Sequence, residues 1–447
     1  MRLRKAMVNL SSGSVVSPHR SDERRLLLLT TTTGYQTRAF VEGAAKVGVA
    51  VVLGTDRCHV LDDPWRDGAL PLRFEDPEQS ALSIADLART EPLDGIVALG
   101  DCATSTAARA CRMLGLLHHP AEAADVCRDK HRSRERLCAG GLSVPRFVLF
   151  PVEKDPQQIA MVGSSAFAYP CVLKPLALSA SRGVIRADNP WEFARAFDRI
   201  RTLLLSPEIR VTRQAANDFI QVEEYIEGAE IAVEGIVDRG RLKVLAIFDK
   251  PDPLIGPFFG ETIYVTPSSL PEEVQAGVVE ALERAVQALG LFHGPLHAEL
   301  RINPRGFWMM EVAARPIGGL CSRALRFRSP DLGENISLEE LIIRLALGEG
   351  MGTIHREEAA SGVMMIPVPE AGILHEVEGA EEARATAGVE EVIITAKPGE
   401  KLVPLPEGSS YPGFIFARGP SSEYVERALR RAHQQLHFAL SPALPVM

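Results

Sequence analysis

Cysteine is sparse in this chain, and no two cysteines stand close together. Cys58, Cys102, Cys111, Cys127, Cys138, Cys171 and Cys321 form no C-x-x-C pair. That leaves no zinc signature and no disulfide framework, and fits a reducing cytosol. A basic excess is also missing. The formal charge is -9, and no basic run carries interleaved aromatics, so affinity for nucleic acid through phosphate neutralisation is not expected. No apolar run is long enough to span a membrane. Residues 1–24 are polar and basic without the apolar stretch of a signal peptide, and are expected to be a disordered tail. The expected location is cytoplasmic. Internal repeats and low-complexity tracts are absent.

What is present is an ordinary globular composition, 46% hydrophobic and 24% charged over 447 residues, long enough for two to four domains. "RRLLLLTTTTGYQTRAFVEGAAKVGVAVVLGTD" reads as strand, turn, helix, strand, and "PLDGIVALGD" adds another buried strand. This predicts a doubly wound βαβ unit over 25–118, with Thr31 to Gln36 and Gly100-Asp101-Cys102 as candidate ligand contacts at its strand ends. "SLEELIIRLALGEG" predicts a helix with a Ser337/Glu340 capping box. From Gly362 onward, strand-like runs and a closing helix, "SSEYVERALRRAHQQLHFAL", predict a separate α+β lobe. The fold class is α/β and α+β, multidomain.

"GPLHAELRINPRGFWMMEVAARP" (294–316) predicts a hairpin with two glutamates in otherwise apolar strands. Taking Pro304-Arg305-Gly306 as a three-residue loop puts Asn303 opposite Phe307 and Glu299 opposite Glu311. Leu296, Ala298, Leu300 and Ile302 then share a buried face with Trp308, Met310, Val312 and Ala314. His297, Arg301 and Met309 share the glutamates' face. Opposed like charges destabilise a hairpin. Either a hard divalent cation compensates them, or Arg301 and Arg315 neutralise them on a solvated face.

Other residues join this pair in order along the chain. Lys130 lies in "RDKHRSRERL". Lys174 ends a strand in "VLKP", ahead of a small-residue loop, Ser179 to Gly183, able to cradle phosphate with backbone N–H groups. "VEEYIEGAE" is an acidic strand break.

This order resembles the ATP-grasp superfamily from about Pro120 to Gly348. The resemblance implies a two-lobed nucleotide-binding domain over 119–350, preceded by the 25–118 unit and followed by a 351–447 lobe. It implies that Lys130 and Lys174 meet ATP phosphates, with Ser179, Ser181, Arg182 and Gly183 in the phosphate loop. Glu223 and the backbone at Tyr225-Ile226 would meet the adenine edge, and Glu230 the ribose. Glu299 and Glu311 would hold Mg²⁺, with Mn²⁺ as an alternative, and Arg315 would face the transferred phosphate, joining Lys174 as a catalytic cation. Two departures stand out: Ala313 where the family commonly has Asn, and a loop with Gly183 as its single glycine.

"EVAARPIGG" is most similar to the amino-acid (dipeptide-forming) ligases, which implies an ATP- and Mg-dependent, ADP-forming carboxylate–amine ligase working through an acylphosphate. Glu261 is expected to bind a substrate ammonium, Tyr264 to pack on the substrate, and Gly318 and Gly319 to offer N–H groups to a carboxylate. Arg323 and Arg326, three apart on an expected helix, are either ligands or surface charges. The expected partners are small-molecule carboxylate and amine substrates, with a homodimer as one option. Two alternatives stay open: a purine-biosynthesis-type ligase, and a non-catalytic ATP-binding regulatory protein.

Overall fold

The computed structural model describes residues 24–31, 34–56 and 69–442, without the side chains of 162–166. The tail expected at 1–24 lies outside the described residues up to residue 23.

Strands β1 (Arg25–Thr30), β2 (Ala50–Thr55), β3 (Leu70–Pro71) and β4 (Gly95–Leu99) form a parallel sheet in the order β3-β2-β1-β4. Leu26 to Leu29 are completely buried because both faces are covered. Leu27 and Leu29 meet the helices Pro77–Thr90 and Asp101–Leu114. Leu26 and Leu28 meet the helix Thr37–Val47 and a later helix, Leu338–Ala346. The doubly wound unit is therefore present, and one of its covers comes from elsewhere in the chain. The expected capping box of Ser337 and Glu340 starts that covering helix.

A small lobe follows, with β5 (Phe147–Pro151), β6 (Cys171–Pro175), β7 (Ile185–Ala187) and β8 (Phe219–Glu224) paired antiparallel as β5-β8-β6-β7. The helix Pro190–Leu204 backs it, and Phe193 stacks on Phe167 at 4.9 Å.

The large sheet begins with β9 (Ala229–Asp238), β10 (Arg241–Asp249), β11 (Ile263–Thr266), β12 (Gly294–Asn303) and β13 (Gly306–Ala313). The helix Glu272–Leu289 buries Val278, Leu282 and Val286 against them. A minor sheet of β14 (Phe327–Ser329), β15 (Gly333–Ile336) and β16 (His355–Arg356) precedes the C-terminal strands. These are β17 (Ala360–Met365), β18 (Gly372–Glu378), β19 (Val389–Ile394), β20 (Lys401–Leu402), β21 (Gly413–Gly419) and β22 (His437–Ser441). The C-terminal α+β lobe exists, but its main sheet is not separate. β17 pairs with β11, so the eight strands run β13-β12-β9-β10-β11-β17-β21-β19 without a break. The closing helix stops at His433, and the "HFALS" that follows is strand β22, paired with β18.

The hairpin register also needs correcting. Two residues, Pro304 and Arg305, make the loop, so Asn303 pairs with Gly306 and not with Phe307. Asn303 closes this turn by accepting from the Arg305 N–H at 2.9 Å. A bulge between Glu299 and Leu300 absorbs one residue of β13 and restores Glu299 opposite Glu311. Past the bulge, the faces swap. Phe307 and Met309 pack in the core, whereas Trp308 and Met310 do not.

Candidate active site

A cavity of about 390 Å³ opens where the small lobe, the large sheet and the carboxyl ends of β1 and β4 meet. Its wall takes in Thr31, Tyr35, Gln36 and Gly100 to Cys102 from the N-terminal unit, and Ser409 and Tyr411 from the C-terminal lobe. Gln36 anchors the junction by donating to the Ile317 carbonyl at 2.5 Å.

On the small-lobe side, Lys174, the last residue but one of β6, lines the cavity. Its ammonium lies 2.7 Å from Glu223, which also meets Arg134 at 2.9 Å and accepts from Gln221 at 2.8 Å. Burial alone would raise the Glu223 carboxyl, but Arg134 and Lys174 outweigh it and hold the group at about 2. Burial pushes the Lys174 ammonium down, with Glu223 opposing. Glu223 thus serves first as countercharge to two buried cations. Lys130 reaches across from the helix Lys130–Ala139, donating to the Leu178 carbonyl at 2.8 Å and standing 3.5 Å from Glu311.

Between these lysines runs the small-residue loop. Ala180 and Ser181 both have left-handed backbone, with φ of 54° and 55°. Two such non-glycine residues in succession store strain of the kind found at ligand clamps. Ser179 and Ser181 line the cavity; Arg182 and Gly183 do not. Arg182 turns outward because Glu208 and the Glu407 carbonyl hold its guanidinium, and the Gly183 N–H donates to the Pro406 carbonyl at 2.8 Å. That departs from their expected place in the phosphate loop. Tyr225 and Ile226 line the cavity at the break between β8 and β9. There the Tyr225 N–H is bound to Pro170 O at 3.3 Å, and Ile226 O accepts from Arg301 at 2.6 Å.

The large-sheet side carries the acids. Neither expected arginine forms an ion pair with the opposed glutamates. Arg301 holds Glu230 at 2.8 Å, and Arg315 holds Asp101 at 2.8 Å. Glu311 has Lys130 as its neighbour, and Glu299 is bound at 2.6 Å by Lys250. Sequence reasoning missed Lys250. Its signal was the one that exposed Lys174, a lysine at the end of an apolar strand, here "LAIFDK". Lys250 also lies 2.9 Å from Glu230 and 2.9 Å from Glu261. Burial would lower its ammonium, but Glu261 and Glu299 hold it well above its ordinary value. Glu261 accepts from Tyr264 at 2.8 Å; burial would raise this carboxyl, and Lys250 leads the groups that bring it to about 2. Beneath them, buried Glu234 bonds His297 at 3.1 Å and accepts from the Ile317 N–H. Gly318 and Gly319 line the cavity just beyond Arg315. Arg323 sits in a single 3-10 turn and Arg326 beyond it. They pair with Glu391 and Glu390 as surface charges, not on the expected helix.

The donor set suits a hard cation. Glu311 lacks a short hydrogen bond among the described residues, and the strand register sets it opposite Glu299, so both carboxylates face the same cavity.

A cavity between a four-stranded lobe and a larger sheet, with Lys174 and Lys130 on one side and opposed acids on the other, is that of an ATP-grasp ligase. The chain belongs to the ATP-grasp family. It matches the ATP-grasp N-terminal domain at 41–117, the ATP-grasp domain at 167–324 and the L-amino acid ligase C-terminal domain 2 at 364–441. It is 30% identical over 290 residues to alanine–anticapsin ligase of Bacillus subtilis (strain 168), a match spanning 61% of this chain and 60% of that protein. The L-amino acid ligase from Bacillus licheniformis superposes with a TM-score of 0.78 at 28% identity, over 94% of this chain and 99% of that one. Phosphoribosylglycinamide synthetase from Anaerococcus prevotii shares the fold at a TM-score of 0.65 and 17% identity, over 94% and 100% of the two chains. These comparisons set the chain among ATP-dependent, ADP-forming ligases that join a carboxylate to an amine, and fit that branch better than the purine-biosynthetic one. No helix among the described residues is long and apolar enough to cross a membrane.

Proposed function

We propose that this ligase condenses amino acids, joining the carboxylate of one to the amine of another. The observation that carries the reading is the convergence of Lys130, Lys174, Glu299, Glu311 and Arg315 on one cavity. ATP lies between the lobes with its phosphates on Lys130, Lys174 and the Ser179–Ser181 loop. Its adenine lies at the Tyr225-Ile226 break and its ribose beside Glu230. Glu299 and Glu311 hold Mg²⁺, which supplies charge neutralisation at the phosphates when bound. Arg315, positioned by Asp101, faces the transferred phosphoryl. The substrate carboxylate oxygen takes that phosphoryl and ADP leaves. The amine nitrogen then attacks the acyl carbon, its proton is lost, and inorganic phosphate departs. The N–H groups at Gly318 and Gly319 hold the carboxylate, and Glu261 with Tyr264 lies on the substrate side. Lys250 already neutralises Glu261, so a substrate ammonium must share that carboxylate. The proposed division is 25–118, 119–350 and 351–447, and the proposed setting is the cytoplasm, with small-molecule substrates.

The test is ADP release from purified protein with pairwise mixtures of free amino acids, read beside mass spectrometry of the products. A condensed product appearing with ADP supports the reading. ATP binding without turnover on any pair favours the regulatory alternative.

A further inference from the structure

Lys250 lies one residue beyond β10, with its side chain 3% exposed. An ammonium has three N–H donors, and this one meets three carboxylates, Glu230, Glu261 and Glu299, at 2.9, 2.9 and 2.6 Å. The Tyr264 ring centroid lies 4.9 Å away, and the Tyr264 hydroxyl donates to Glu261. Those acids can each present an oxygen such that all three lie within 4.8 Å of one another. Such spacing would also suit a hard divalent cation. Glu299 therefore belongs to two potential cation sites at once: the opposed pair with Glu311, and the triad with Glu230 and Glu261.

We propose that Lys250 is a positioning residue that decides between these two sites. Its ammonium fills the triad and fixes Oε1 of Glu299, which leaves Glu299 and Glu311 as the residues that would hold a divalent cation. Lys250 and Arg301 sit among the three acids and offset most of their mutual repulsion. Glu230 is held from both ends, Oε1 by Lys250 and Oε2 by Arg301, and is kept out of metal binding. The inference rests on the reading of Glu299 and Glu311 as the metal ligands.

The experiment titrates the full chain with Mn²⁺ alone, without nucleotide or amino acid, and follows free Mn²⁺ by electron paramagnetic resonance. Lys250→Met empties the triad of its ammonium. It is expected to bind Mn²⁺ about tenfold more tightly than wild type, or better, the scale on which neighbouring groups tune metal affinity. Adding Glu261→Gln should abolish the gain, whereas adding Glu311→Gln should leave it. A folded Lys250→Met protein that binds Mn²⁺ no better than wild type overturns the proposal. So does a gain that disappears with Glu311→Gln, because the ion would then sit at the opposed pair. If Lys250→Met alone does not fold, Lys250→Met/Glu261→Gln carries one negative charge fewer. Recovery of folding in that protein supports the countercharge role, and failure in both overturns it. The readout contains no ATP, so wild type lacking ligase activity would sink the proposed function and leave this result standing.

Discussion

Glu223 sits between Arg134 and Lys174 with 1% of its surface exposed. A carboxyl held at about 2 instead of 4.5 stabilises the folded state above its ordinary value, and that contribution is lost as pH falls from 4.5 towards 2. Glu261, also brought to about 2, adds to the same window. Melting temperature should therefore fall steeply across that range. Glu223→Gln, which strands two buried cations, should cost about 3–5 kcal/mol at neutral pH and flatten the acid slope. Equal slopes for mutant and wild type would refute the pairing. Glu311→Gln tests something different. Arg315 keeps Asp101 as partner whatever happens at Glu311, so stability should stay within about 0.5 kcal/mol of wild type. Turnover should fall by about a hundredfold or more if a metal ligand is lost. A destabilised yet active Glu311→Gln enzyme would overturn the metal reading.

The β12–β13 hairpin reached its expected pairing of glutamates by an unexpected route. Turn chemistry at Asn303, Pro304 and Gly306 pointed to a three-residue loop, and a bulge leaves no mark in residue type, so the two-residue loop shows only in the pairing that puts Phe307 and Met309 in the core. The joining of β11 to β17 was equally hidden, because nothing in either strand names its partner. The break between β8 and β9 makes a sharper demand on sequence. Gly228 has a φ of 129°, and a Cβ there would stand 2.2 Å from the Ile302 carbonyl oxygen of β12. Gly228→Ala should lower stability by about 1–3 kcal/mol through backbone strain, with the clash in addition. Urea denaturation midpoints measure this. An unchanged midpoint would mean that the break relaxes freely.

Across the whole molecule, Lys174, the acid pair and the order of the elements could be read from sequence because each depends on local pattern. Lys250 carries the same strand-end signal as Lys174, but its partners could not be read, nor could those of Arg134 or the Glu234–His297 pair, since they lie across strands distant in sequence. Tyr411 and Ser409 enter the cavity from the C-terminal lobe for the same reason. All these groups serve one central claim, that the cavity activates a carboxylate with ATP. The most direct measurement uses an accepted amino acid whose carboxylate carries heavy oxygen, and weighs the inorganic phosphate released on condensation. Transfer through an acylphosphate moves one labelled oxygen into each phosphate. Unlabelled phosphate, formed at the same rate as product, would contradict the account.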